Sequence, residues 1–190
     1  MDTFAREMPD IRAEVFRETA ARMSILPAIV EKDFWVCWAL KRVFSLDNSI
    51  PGLIFKGGTS LSKAYGAIRR FSEDIDLSMN RNDLGFAGGR DPAATLSNRA
   101  RKALLSELQA ATVEAIAGPV KEALTTAAIS TLGADVDFVV DKNDPHTLLF
   151  AYPRSLGGGE QSDYAPPADP ETVARSRTGE DIANRLRANG

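Results

Sequence analysis

The sequence predicts an α/β (α+β) fold: a small mixed sheet with helices packed on it, behind an N-terminal helical segment. Three observations predict it. Two segments, 10–23 and 27–44, carry apolar residues at helical spacing. Short strand-like runs then alternate with helical ones, at 53–56, 59–68, 74–79 and 92–117. Finally, two apolar runs, 135–140 and 147–152, flank the polar turn Asp-Lys-Asn-Asp-Pro-His as the arms of a hairpin would.

The first helix rests on Ile11, Val15, Phe16, Ala20 and Met23, and Leu26-Pro27 punctuates its end. Pro27 suits the first turn of the second helix, Glu31 and Asp33 lie toward its positive end, and Lys41 and Arg42 toward its negative end. Ile29, Val30, Phe34, Val36, Cys37, Leu40, Val43 and Phe44 give that helix a wide apolar face, which predicts that it is largely buried. Asp47-Asn48-Ser49 and Pro51-Gly52 supply turn chemistry before the strand 53–56. A turn at Gly57-Gly58 leads into the helix 59–68, and 80–91 reads as a loop containing Gly88-Gly89. Leu96, Ala100, Leu104, Leu105, Leu108, Ala111 and Val113 mark a long helical pattern that continues to about Ser130. After Pro153 the composition turns to Gly, Pro and charge with few large apolar residues, so 155–190 is expected to be a mostly unstructured tail. The predicted organisation is a domain over 1–154, with a helical part at 1–45 and a core at 46–154, followed by that tail.

Composition bounds the function classes. A chain of 190 residues fits one domain, and 44% hydrophobic residues is ordinary for a globular protein. A formal charge of −3 leaves no global footprint for nucleic acid, so any such contact must use a local patch. The single cysteine, Cys37, forms no intrachain disulfide and reads as a small core residue. The N-terminal Met-Asp-Thr-Phe-Ala-Arg-Glu-Met-Pro-Asp has no apolar signal core. The run Phe-Trp-Val-Cys-Trp-Ala-Leu at 34–40 is too short to span a bilayer. No membrane association and a cytoplasmic location are expected.

The chemistry concentrates in 55–79, FKGGTSLSKAYGAIRRFSEDIDLSM. Glycines between a strand and a helix permit a tight turn and close approach of a ligand to the backbone. The helix that follows offers free N–H groups, with the Thr59 and Ser60 hydroxyls beside them, suited to phosphate oxygens. Asp74 and Asp76 share one face of the next strand while Ile75 and Leu77 take the other. Two like charges there repel each other, and a Mg²⁺ ion offsets that repulsion. Mg²⁺ takes one or two protein carboxylates and completes its shell with water and substrate phosphates. Lys63 lies one turn after Thr59, within reach of a triphosphate. Arg69, Arg70, Lys32 and Lys56 are further phosphate candidates, each alternatively a solvated cation, and Glu73 reads as a structural partner. Arg99, Arg101 and Lys102 form a basic patch, either a solvated face or an RNA-backbone contact. His146 reads as turn chemistry, and zinc is not expected without Cys or His partners.

This motif resembles the opening motif of the DNA polymerase beta-like nucleotidyltransferases, and more closely that of the AbiEii toxins of type IV toxin–antitoxin systems. The resemblance extends from about Leu26 to Pro153, through Glu31-Lys32-Asp33-Phe34-Trp35, Phe55-Lys56, the Asp144-Pro145 turn and the strand 148–153. It implies a nucleotide-phosphate turn at Gly57, Gly58, Thr59 and Ser60, and metal-binding catalytic carboxylates at Asp74 and Asp76. It also implies a Mg²⁺-dependent nucleotidyltransferase toxin acting in abortive infection. Its NTP is open, GTP and CTP included; RNA, such as a tRNA 3′ end, is the implied acceptor, and a winged-helix antitoxin the implied partner. A small-molecule or protein acceptor is a third option.

The resemblance further implies a third carboxylate from a later strand and a helical C-terminal lobe. Neither is visible in the sequence. Asp169 and Glu171 lie in no strand pattern, and Asp137, between Val136 and Phe138, is a rival third acid. The break after Pro153 gives the expectation of a C-terminally truncated or frameshifted chain. The alternative function is then a catalytically inactive remnant that binds nucleotide or antitoxin only.

Overall fold

The computed structural model describes residues 1–46, 50–65, 74–94, 97–133, 136–157 and 174–176, with the backbone alone at 59, 62 and 174–176. Arg69, Arg70, Glu73, Asp169 and Glu171, singled out above, lie outside the described residues.

The N-terminal segment is helical, as its periodicity predicts. Helix α1 spans Asp2–Ala5, α2 Pro9–Met23 and α3 Pro27–Val43. Proline opens both α2 and α3, and α2 stops at Ser24, which adopts the left-handed conformation (φ 55°, ψ 43°). The four-residue α1 is too short to stand on propensity. Tertiary charge holds it: Asp2 accepts from Lys41 at 3.1 Å and from Arg42 at 2.9 Å, both in the last turn of α3. Burial would raise the Asp2 carboxyl, but those two cations outweigh it and hold it below its usual range.

One mixed sheet carries the rest. Its strands are β1 (Leu53–Lys56), β2 (Ile75–Met79), β3 (Phe138–Val140), β4 (Thr147–Phe150) and β5 (Ala174–Ser176). They run in the order β1-β2-β5-β4-β3. Pairing is antiparallel for β1 with β2, β3 with β4 and β4 with β5, and parallel for β2 with β5. Helices α4 (Gly57–Lys63) and α6 (Lys121–Leu132) pack on this sheet, and α5 (Asn98–Ala115) leads into α6 through the turn Ile116–Val120. The predicted α/β class and the hairpin around the Asp144-Pro145 turn are both present. In that turn Asp144 accepts from the His146 amide at 3.1 Å and from the Thr147 hydroxyl at 2.8 Å, which fixes the loop that sets the β3–β4 register.

The core lies on the face of the sheet opposite the acidic residues. Ile75, Leu77 and Met79 of β2 are buried there with Trp35, Val36 and Trp38 of α3. Phe150 stacks on Phe138 at a ring separation of 4.7 Å and on Trp38 at 5.5 Å. Ile116, Val120, Leu124 and Ala128 close the core from the α5–α6 side. Aromatic pairs of this kind add about 0.5–1.5 kcal/mol each beyond area burial, so α3 is firmly seated against the sheet.

Four expectations are corrected. Only Phe16 and Ala20 of the predicted α2 face are buried; Ile11, Val15 and Met23 are 42%, 44% and 62% exposed. The helix is rotated because Arg12, 3% exposed, turns inward to fixed acceptors. The long helix starts at Asn98 and not at Pro92, because Asp91 accepts from the Ala93 amide at 2.8 Å and holds a turn, and Ser97 then caps α5. It is also broken: Gly118 leaves helical geometry (φ −103°, ψ −105°) beside Pro119, in a π turn over Ile116–Val120. Finally, the segment expected to be mostly unstructured contains a strand, β5 at 174–176, seated between β2 and β4, each of which has a strand edge to satisfy there. Among the described residues, no helix is long and apolar enough to cross a membrane.

Candidate functional site

Strand β1 runs directly into α4 through Gly57, and the β1–β2 register sets what lies opposite. Leu53 and Phe55 pair with Met79 and Leu77 on the core face, so Ile54 and Lys56 pair with Ser78 and Asp76 on the other. Lys56 is thus the cross-strand partner position of Asp76, an arrangement in which opposite charges attract. Both residues are half-buried. Asp74, also half-buried, directly precedes β2 instead of lying within it. Strand alternation continued by one residue would set it on the side of Asp76, away from buried Ile75 and Leu77.

The glycine turn and the acid meet. Gly57 has φ +70°, and a Cβ built on it would lie 2.0 Å from Asp76 Oδ2. Only glycine leaves room for the carboxylate, which therefore rests against the turn backbone at the start of α4. Gly58 differs: a Cβ there would meet nothing within 4 Å. The sequence pattern treats the two glycines alike, whereas the structure assigns conformational need to Gly57 alone. Ser60 is buried and its hydroxyl donates to the Gly57 carbonyl at 3.0 Å, pinning the turn. The Thr59 side chain lies outside the described residues.

These contacts yield a sharp contrast. Gly57→Ala is expected to destabilise the fold by about 1–3 kcal/mol, the range for a non-glycine residue forced into the left-handed region, and to displace Asp76. Gly58→Ala is expected to leave thermal stability unchanged. Paired melting curves check this.

The remaining candidates divide. Lys63 extends from α4 to an ion pair with Asp33 of α3. Sequence spacing gives no sign of this partnership between residues 30 apart. Lys32 is buried, 7% exposed, and so is not a solvated helix lysine. Its neighbour Glu31, 3% exposed, accepts from the Ser155 amide at 2.6 Å, and burial pushes its carboxyl up despite that bond and nearby Arg12. Cys37 is half-buried with its thiol pushed up by burial, which leaves it poorly nucleophilic at neutral pH. Arg99 and Lys102 are exposed in the first turns of α5, with Arg101 half-buried between them.

The rival third acid is eliminated by position. Asp137 directly precedes β3, three strands from β2, which is about 14 Å at normal strand spacing. It accepts instead from the Phe138 amide at 2.8 Å and the Thr125 hydroxyl at 3.0 Å, tying β3 to α6. The strand beside β2 is β5, where Arg175 is in register with Asp76 and no acid occurs. Among the described residues, no group of three or more Asp, Glu, His or Cys side chains is placed to hold a metal. The carboxylate placed against the backbone turn is that of Asp76, with Asp74 two residues before it. That donor set suits Mg²⁺, which leaves its other positions to water and phosphate.

A family model described as "Nucleotidyl transferase AbiEii toxin, Type IV TA system" matches residues 38–168. That span contains the whole of β1, α4 and β2. No curated protein and no solved structure matches the chain.

Proposed function

Because this chain belongs to the AbiEii family of nucleotidyl transferase toxins, we propose that it is a Mg²⁺-dependent nucleotidyltransferase that modifies RNA, a tRNA 3′ end being the first acceptor to test. The observation that supports this reading is the packing of Asp76 against Gly57, a carboxylate against the glycine turn that opens α4.

In the proposed reaction an acceptor hydroxyl attacks the α-phosphorus of an NTP and gives up its proton to water. The bond to the α,β-bridging oxygen breaks, and pyrophosphate leaves with the electron pair. Asp74 and Asp76 would hold Mg²⁺, which supplies charge neutralisation on the phosphoryl oxygens and the leaving group. Gly57 and Gly58 let the triphosphate approach the backbone, with Thr59 and Ser60 at the opening of α4. Lys63 neutralises the triphosphate, and Lys56 adds positive charge beside Asp76. The exposed Arg99 and Lys102 are proposed to meet the RNA backbone. A winged-helix antitoxin is the proposed partner, and the cytoplasm, which holds both NTPs and tRNA, the proposed compartment.

A second reading is favoured by β5, which carries Arg175 and no acid in register with Asp76. On that reading the chain binds Mg²⁺–NTP without transferring it. Incubating the full chain with α-labelled NTPs, Mg²⁺ and total tRNA separates the two. Label on RNA is expected. Magnesium-dependent binding without transfer favours the second reading, and absence of both overturns each.

A further inference from the structure

Helix α4 has seven residues and is attached to the sheet at its glycine end. Lys63 stands in its last turn, where a helical side chain leans back toward the helix N-terminus. A lysine stem with four rotatable bonds does not hold one direction unaided. Asp33 supplies the missing constraint. It projects from α3 between buried Lys32 and the aromatic run, with Trp35 and Val36 both 0% exposed, so its own backbone is fixed by the core. The paired side chains remain 25% exposed for Lys63 and 36% for Asp33, so an incoming anion can reach the ammonium without dismantling the pair. The ammonium has three N–H donors, and one partner does not exhaust them.

We propose that Asp33 is a positioning residue for nucleotide: it holds Lys63 in the direction from which the ammonium meets the triphosphate at the Gly57 turn. This rests on the reading of Lys63 as a triphosphate contact. Exposed ion pairs contribute little to folding, so the role of this one is read in ligand affinity and not in stability.

A double-mutant cycle on the full chain tests it, with equilibrium binding of Mg²⁺–ATP, –GTP, –CTP and –UTP and the melting temperature of every variant measured alongside. With the tightest of the four, Asp33→Asn is expected to weaken binding about threefold to tenfold, the size of a direct pairwise coupling. Asp33→Glu should recover most of the loss. In the Lys63→Ala background Asp33→Asn should have no further effect. The proposal is overturned if Asp33→Asn binds as tightly as the unaltered chain or tighter, or if its effect persists undiminished without Lys63. If Lys63→Ala weakens binding while Asp33→Asn does not, the positioning role alone fails. If Lys63→Ala binds normally, the reading of Lys63 as a triphosphate contact fails and takes the Asp33 role with it.

Discussion

The Asp74→Asn/Asp76→Asn double variant is expected to lose nucleotidyl transfer by more than about 100-fold, since removing even an outer partner of a metal ligand costs 10–100-fold. The substitution keeps shape and removes two negative charges, so the fold should survive. Asp76 rests on the Gly57 backbone, and an amide fills that space as a carboxylate does. Like-charge repulsion between the two acids is relieved while the attraction of Asp76 for Lys56 across the strands is lost, so the melting temperature is expected to change little. Stability retained and transfer lost, measured by label incorporation and thermal melting, is the signature of residues held for chemistry. A joint fall in both would make the acids structural.

The largest stability effect is expected at Arg12. Its guanidinium donates to the Ser155 hydroxyl at 2.8 Å, to the Ala5 and Glu7 carbonyls at 2.8 and 3.0 Å, and to the Pro153 carbonyl at 3.0 Å. It thereby joins the segment after α1 to the chain leaving β4, beside buried Glu31. Arg12→Ala strands those acceptors and removes the cation near Glu31, and should cost about 3–5 kcal/mol in urea unfolding near neutral pH. Arg12→Lys keeps the charge without the fork and should restore only part.

The pH dependence of that loss has a defined sign. Burial raises the Glu31 carboxyl above its ordinary value of 4.5. The contribution of such a group is fully present below 4.5 and is lost as pH rises through the raised folded value. Without Arg12 the folded value rises further. The Arg12→Ala penalty should therefore be smaller below pH 4.5 and grow toward neutrality. A penalty independent of pH would contradict the coupling.

Much of this molecule is legible in its sequence, and the illegible parts have physical causes. Strand β1 was readable because Leu53–Lys56 is bounded by Pro51-Gly52 and Gly57-Gly58, and β2 because its apolar residues alternate with polar ones. The position of Gly57 beside Asp76 follows from the register of β1 against β2. Its collision distance does not, because both glycines look alike without coordinates. Periodicity does not reveal the buried face of α2 because it counts apolar residues, whereas a buried Arg12 with four acceptors decides the rotation. Strand β5 has the sequence Ala-Arg-Ser, too short to show a period, and exists through pairing with β2 and β4. The Lys63–Asp33 pair lies between two helices and leaves no mark on the spacing within either.

The most direct test of the account is paramagnetic. Mn²⁺ substitutes for Mg²⁺ and broadens nearby amide resonances, so a substoichiometric Mn²⁺–NTP titration of the isotopically labelled chain locates the ion. Selective broadening of the Gly57, Gly58 and Asp76 amides, abolished in Asp76→Asn, is the predicted result. Sharp signals at those three amides while others broaden, or broadening that survives Asp76→Asn, would contradict a metal–nucleotide site at this turn.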